Sequence, residues 1–576
     1  MKMFLPMTKK EMNNLGWEEL DVILVTGDAY VDHPSFGVAL IARVLEDSGL
    51  RVGVISQPDW RTADDITRLG KPKLFFGITA GNVDSMVANY TASRRKRRTD
   101  DYTPGGYAGK RPDRATIVYS NLVKKYFKDV PVIIGGIEAS LRRFAHYDWW
   151  SDSVRRSILL DSKADLLVYG MAERTIVQIA EILRKGGSIQ DCYGLRGVVY
   201  WTSKIPEDAL ILPSFEEVKL DKRKYAEAFK KFYLENDPIT GEKLTQLHGT
   251  QWVVQNPPQY PLTQKELDHI YGLNYTRKVH PECLKKGHVK AIETVKFSIT
   301  SHRGCYGGCA FCAITLHQGK IVTWRSKESV IEEAKKITKM DDFKGIISDV
   351  GGPTANMYGY ECDKKLKHGT CRDKLCLFPE VCPSLRVNHS KYIELLEELR
   401  KIPKVRKVFV SSGIRHDLVL EDKKYGEFFL IKLSEHHISG QLKLAPEHSD
   451  SRVLKLMRKP DISKFRRFKS EFQKINKRLR KKQYIIVYLI AAHPGSGERE
   501  AKNLKNFVKA ELKYRPQQVQ IFTPTPSTIS TTMYYTGLDP FTNEKVFVEK
   551  SERKRRWQKD ILLSEKNISD SKFKKL

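Results

Sequence analysis

Ser301-His302-Arg303-Gly304-Cys305-Tyr306-Gly307-Gly308-Cys309-Ala310-Phe311-Cys312 carries three cysteines in the spacing C-x3-C-x2-C. Three thiolates on one tight loop can hold three irons of a four-iron, four-sulfur cluster. No fourth cysteine is local, so one iron keeps an open position for a chelating amino and carboxylate pair. Gly304, Gly307 and Gly308 let the backbone wrap closely around such a cluster. Phe311 adds an aromatic wall beside the last thiolate. The competing reading is zinc, which needs a fourth ligand, from His302 or His317.

The loop opens a run of alternating strand and helix signals. Strands are expected at Val295–Ser301, Gly345–Val350, Lys407–Ser412, Gln441–Ala445, Tyr484–Ala492 and Gln518–Phe522. Helical spacing separates them, notably at Lys327–Lys339, Ser390–Lys401 and Ser463–Lys482. Six strands with intervening helices predict a partial (β/α)6 barrel, whose chemistry belongs at the C-terminal strand ends. Upstream, Asp21–Gly27, Arg51–Ser56, Leu74–Ile78, Pro131–Gly136 and Leu166–Gly170 alternate with helical segments. They predict a doubly wound parallel α/β sheet, with ligands at the carboxyl ends of its strands. The expected layout is an N-terminal α/β domain over 1–198, an irregular linker over 199–290, the barrel over 291–545 with a cysteine-rich insert at 355–383, and a basic tail over 546–576.

C-x3-C-x-aromatic-C after a first barrel strand resembles the radical S-adenosylmethionine (SAM) superfamily over roughly residues 295–527. The resemblance implies a [4Fe-4S] cluster on Cys305, Cys309 and Cys312. It implies an enzyme that binds S-adenosyl-L-methionine at the open iron and cleaves it reductively to methionine and a 5′-deoxyadenosyl radical. Other superfamily features map one at a time. Gly351 and Gly352 match the glycines of the family's GGE element, which contacts the SAM amino group. Pro353 and Thr354 replace its acidic residue, and Asp349 could compensate. Arg415 is expected to pair with the SAM carboxylate, since a guanidinium matches a carboxylate bidentately. Glu447 is expected on the ribose hydroxyls, and the turn His493–Gly497 near the adenine or sulfonium. Each of these polar residues could equally cap the helix that follows it. DVGGPTANMYGYEC and LFPEVCP, after a basic α/β region, narrow the resemblance to YgiQ-type radical SAM proteins, over about residues 10–560.

A second cysteine set, Cys362, Cys371, Cys376 and Cys382, lies in the insert. Four thiolates there could hold zinc or a second iron–sulfur cluster; the alternative is free thiols. The N-terminal sheet resembles a cobalamin-binding domain. Cobalamin domains that ligate cobalt through histidine use D-x-H-x-x-G, which Asp32-His33-Pro34-Ser35-Phe36-Gly37 does not match. The sheet is read as binding no cofactor, with a cobalamin packed on glycine loops such as Gly135-Gly136 as the alternative.

The chain has 576 residues and a formal charge of +31, from 100 Lys plus Arg against 69 Asp plus Glu. That balance excludes an acidic solvating protein and favours an anionic partner. Three basic segments stand out: Arg94–Arg98 in a loop expected to be mobile, the polar face of the helix at 463–482, and the tail. If they converge near the barrel mouth they would track RNA phosphates. The rival function is a basic nucleic-acid-binding protein with a structural or redox-sensing cluster; a membrane-surface enzyme is a further alternative. No stretch reaches the ~18 apolar residues of a spanning helix, and Met1–Lys10 has no signal-peptide apolar region. Cysteines too sparse for a disulfide scaffold fit the same cytoplasmic reading. A reductant such as flavodoxin or ferredoxin is the expected partner; substrate and oligomeric state stay open.

Overall fold

The computed structural model describes residues 3–563, apart from 513 and 515. In its N-terminal half, β1 (Val22–Thr26), β2 (Val52–Ser56), β3 (Phe75–Thr79), β4 (Val132–Ile134) and β5 (Leu166–Val168) form the parallel part of one sheet. Helices on both faces require such strands to be apolar throughout, and β1 is buried at every residue. Their order is β2-β1-β3-β4-β5, with Val22 level with both Val52 and Phe75. The chain direction across the sheet reverses between β1 and β3, the place where open α/β sheets leave a crevice.

The stretch expected to be an irregular linker, 199–290, instead extends this sheet. β6 (Val198–Thr202), β7 (Leu210–Ile211), β8 (Leu244–His248) and β9 (Gln251–Gln255) bring it to nine strands, in the order β7-β8-β9-β6-β5 beyond the parallel part. β6 runs antiparallel to β5, and β9 antiparallel to β6 and β8. The prolines 257, 258 and 261 fall just after β9, where no ladder donor is needed.

The six barrel strand positions are occupied as expected: β10 (Ser298–Thr300), the broken pair β11 (Ile346–Ile347) and β12 (Asp349–Gly351), β13 (Lys407–Val408), β14 (Gln441–Glu447), β15 (Tyr484–Ala491) and β16 (Gln518–Ile521). All pairings are parallel: β10 with β12, β11 with β13, β14 with β15 and β15 with β16. Their inward residues share one core with Phe465, Phe468 and Phe472, so the aromatic stripe of the helix Ile462–Arg478 is core packing. Its cations are largely engaged: Lys464 with Glu380, Arg466 and Lys469 with Glu511, Lys474 with Glu471 and Arg478 with Glu427.

Sheet and barrel are fused by packing and by buried charge. Ala310 of the cysteine loop, Leu316, Ile529 and Met533 lie in the core of the N-terminal sheet. Arg277, from the sheet side, and Arg325, after the cysteine loop, both pair with Glu333, all three buried. The loop around Arg94–Pro112, expected to be mobile, is pinned. Arg111 is buried and bonds Asp28 at 2.7 Å and Asp100 at 3.2 Å, and Arg97 bonds the carbonyls of Val87 and Tyr90.

The basic tail, read from sequence as a flexible arm or a short surface helix, is helical where described and packs inward. Glu552–Leu563 is a helix whose Ile561 and Leu562 enter the barrel core. Gln558 accepts from the Ala492 amide and the Ser496 hydroxyl, both at 2.9 Å. Residues 564–576 of the expected tail lie outside the described residues. Among the described residues no helix is long and apolar enough to cross a membrane.

Burial opposes ionisation of Glu333, yet Arg325 and Arg277 together hold its carboxyl below the usual range. A depressed folded-state pKa contributes stability above the unfolded pKa, which is lost as pH falls through the folded value. Glu333→Gln leaves two buried guanidiniums without a counter-charge, so it should destabilise by about 3–5 kcal/mol. The check is the urea midpoint at neutral pH. The gap to wild type should narrow as pH falls below the carboxylate range.

Candidate active site

The cysteine loop leaves the C-terminal end of β10 and is held by backbone bonds to three distant segments. The Cys305 amide donates to Gly319 at 3.1 Å, the Ala310 amide to Met457 at 3.0 Å, and the Ser530 amide to Ala310 at 2.9 Å. Gly304 sits at φ 82°, where a Cβ would meet the Ile321 carbonyl oxygen at 2.0 Å. Any side chain there would push the loop off its neighbour. Cys305, Cys309 and Cys312 are all half-buried. Burial raises the Cys305 thiol, with Cys309 adding to it. Burial, Cys309 and Cys305 push Cys312 up to about 12.

The Cys305 and Cys312 thiols therefore resist ionisation unless cationic charge is brought to them, which is what iron does on binding. The donor set suits a cluster: three sulfurs on one glycine-bearing loop, a Gly307 amide 3.4 Å from the Cys305 sulfur, and the Arg415 Nη1 3.6 Å from the Cys309 sulfur. Zinc fares worse. Both His302 nitrogens are engaged, Nδ1 with the Ser301 hydroxyl and Nε2 with the Thr354 carbonyl, and His317 Nδ1 faces the Ser140 hydroxyl.

The barrel brings the other expected residues to the same mouth, with changes. Gly351 ends β12 and Gly352 follows it, both in close quarters. A Cβ on Gly351 would lie 2.3 Å from the Ser412 hydroxyl, and one on Gly352 2.7 Å from His302. Asp349, expected to stand in for the missing acid, commits Oδ1 to the Ser411 and Ser412 amides and the Ser412 hydroxyl. Arg415 is not a free fork: Nε and Nη2 grip Asp417, leaving Nη1 toward Cys309. Glu447 ends β14 at φ 69° beyond a register shift, and is buried. Burial raises its carboxyl, with Lys459 and Arg415 opposing. His493 is buried between Phe311 and Phe522, with ring centroids 6.2 and 5.2 Å away, and its Nε2 faces the Ser530 hydroxyl at 2.7 Å.

A supporting network is not evident from sequence. Asn356 clamps the Arg415 backbone, accepting its amide at 2.8 Å and donating to its carbonyl at 3.0 Å. His389 Nε2 lies 3.1 Å from the Asn356 amide nitrogen, and His389 Nδ1 lies 2.8 Å from Asp422. Its one local signal is the PTAN run directly after Gly351-Gly352.

The insert packs over the cysteine loop. Leu375 stands against Gly308, and Cys376 shares an apolar cluster with Cys305 and Tyr306. Of its four cysteines, Cys376 has Cys362 and Cys382 close enough to add to the rise that burial gives its thiol, while Cys371 is exposed. The insert also grips the N-terminal half. Arg372 pairs with Glu235, and the Thr370 amide bonds Asp237.

A cavity of about 690 Å³ opens where the two halves meet, in the size range of ligand sites. Leu24, Ile78, Ile133 and Ile134 form its apolar wall at the strand ends of the sheet, and Gly135-Gly136 its edge. Thr300, His302, Gly351 and Gly352 close it from the barrel. Glu173, held by Arg303, lines it with Oε2 unpaired. His33, buried, is not part of its wall, so it offers no cobalt ligand there.

Gly304→Ala should prevent iron loading while leaving the far-ultraviolet circular dichroism unchanged. Iron per chain after anaerobic reconstitution is the measurement, with near-complete loss expected.

Residues 4–298 match the family described as Radical SAM N-terminal, residues 299–508 the Radical SAM superfamily, and residues 517–567 a domain of unknown function, DUF3362. A UPF0313 protein of Thermotoga neapolitana is 59% identical over 98% of this chain and 99% of its own length. One from Clostridium botulinum is 53% identical over 97% of this chain and 86% of its own length. Among solved structures, the radical SAM methyltransferase TsrM from Kitasatospora setae, with cobalamin and a [4Fe-4S] cluster bound, aligns at TM-score 0.49 and 14% identity, over 89% of this chain and 77% of its own.

Proposed function

The chain belongs to the UPF0313 family of radical SAM enzymes, and from that premise we propose that Cys305, Cys309 and Cys312 hold its [4Fe-4S] cluster and that the adjoining cavity takes its substrate. The observation that carries the reading is the trio of half-buried cysteines on the one glycine-bearing loop 305–312, with a guanidinium 3.6 Å from the middle sulfur. When bound, the cluster supplies the electron that splits SAM into methionine and a 5′-deoxyadenosyl radical.

The chain's own residues then have separable tasks. Gly351 and Gly352 keep the backbone close enough for SAM to reach its amides. Arg415, its fork held by Asp417, presents only Nη1, so it sets positive charge beside Cys309 and contacts the SAM carboxylate end-on. Glu447, kept from ready ionisation by burial, offers hydrogen bonds to the ribose. The insert and the N-terminal sheet exclude water from the loop, which protects a radical from quenching. The apolar strand ends of the sheet would hold the substrate's body, and Glu173 Oε2 would accept a donor from it. A small reductant such as a flavodoxin or ferredoxin is the proposed electron source.

Cys309→Ala should abolish 5′-deoxyadenosine formation from SAM under dithionite, at wild-type thermal stability. Cys371→Ala, at an exposed thiol, should retain it. Cleavage persisting in Cys309→Ala would place the cluster elsewhere.

A further inference from the structure

The insert between β12 and β13 brings three of its cysteines to one place through its backbone. Cys362 caps the short helix Asp363–His368, and Cys382 caps the turn Pro383–Leu385; helix and turn pack against each other. The Cys382 amide donates to the Cys376 carbonyl at 2.8 Å, so those two residues are neighbours as well. Lys365 follows Cys362 by three residues, on the same helix face, and its Nζ lies 3.9 Å from the Cys376 sulfur. Both Cys362 and Cys382 stand close enough to Cys376 to act on its thiol electrostatically. Cys371 is exposed, on a stretch held to the N-terminal half through Thr370 and Arg372.

The groups around these sulfurs narrow what they can bind. Lys365 is buried. Its ammonium donates to the Lys320 carbonyl at 2.8 Å, pairs with Glu361 at 2.8 Å, and has its third hydrogen left for Cys376. A buried ammonium beside sulfur favours thiolate over thiol. Glu361 is fully committed: Oε1 takes the Cys362 amide and Lys365, and Oε2 takes the Val322 amide. It therefore neutralises Lys365 and is no free ligand. What remains is a donor set of sulfur alone, and soft thiolates select zinc or iron–sulfur centres over magnesium and calcium. Three neighbouring thiolates repel one another unless a cation joins them.

We propose that Cys362, Cys376 and Cys382 form a second metal centre, which binds a thiophilic metal, a zinc ion or an iron–sulfur cluster, through three thiolates. Cys362 and Cys376 share an apolar cluster with Cys305 and Tyr306, and Leu375, next to Cys376, stands against Gly308. A metal joining residues 362, 376 and 382 ties the two ends of the insert together and fixes its cover over the 305–312 loop. A small segment rich in Lys, Gly and Pro gains most from such a staple. The inference goes beyond the radical SAM reading above and does not rest on it.

The test is the metal content of the full chain carrying Cys305→Ala/Cys309→Ala/Cys312→Ala, which removes the first set of thiols. One arm is loaded anaerobically with iron and sulfide, the other with zinc; both are desalted and assayed by inductively coupled plasma mass spectrometry. The expected result is retention of about four irons, or of about one zinc, per chain, and the arm that retains metal identifies the centre. Adding Cys376→Ser/Cys382→Ser should abolish that retention at unchanged far-ultraviolet circular dichroism. Retention that survives the added pair, or no retention in either arm, would overturn the proposal. Iodoacetamide labelling of wild type, read peptide by peptide by mass spectrometry, covers the case in which the triple variant does not fold. Cys362, Cys376 and Cys382 should be protected in the loaded chain and react after chelator stripping; equal reactivity in both states contradicts the assignment. Neither readout uses SAM cleavage, so this site and the radical SAM reading can fail separately.

Discussion

Holding three half-buried thiols together on one short loop sets the terms for everything around it. Sulfur that must carry negative charge away from full solvation needs positive charge beside it and a backbone that cannot relax away. The protein meets the second need with Gly304 and with amide bonds to Gly319, Met457 and Ser530, three points far apart in sequence. It meets part of the first with Arg415. That side chain is fixed by Asp417 on its fork and by Asn356 on its backbone, and Asn356 is in turn held near the His389–Asp422 pair.

The N-terminal sheet is part of the same construction. Ala310, two residues before Cys312, packs into the core of the sheet, so the loop belongs to both halves. Buried ion pairs between them, Arg303 with Glu173 and Arg277 with Glu333, contribute little net stability but are costly to break from one side. They therefore define how the halves meet more than how strongly. The cavity at the crossover between β1 and β3 is what this fixed meeting leaves open.

The regular elements are legible because each has a period. The apolar runs 21–27 and 484–492 could only be buried strands, and the phenylalanine stripe 465, 468, 472 could only face a core. The region 199–290 reads as a linker because β8 and β9 mix Thr, Gln and His with apolar residues, and prolines follow them directly. Pairing in the sheet outweighs that local signal. The basic loop reads as mobile because nothing local shows that Arg111 finds Asp28, 83 residues earlier. At the site, cysteine spacing reveals the thiols, whereas the engagement of Arg415 by Asp417, and of Asp349 by Ser411 and Ser412, depends on directions that spacing does not carry.

The central claim is that these three thiols hold a cluster which SAM addresses directly. Electron paramagnetic resonance of the anaerobically reconstituted, dithionite-reduced chain, recorded with and without SAM, tests it most directly. A reduced-cluster signal that SAM perturbs, accompanied by 5′-deoxyadenosine, is the predicted result. Full iron loading with a signal indifferent to SAM and no 5′-deoxyadenosine would contradict it.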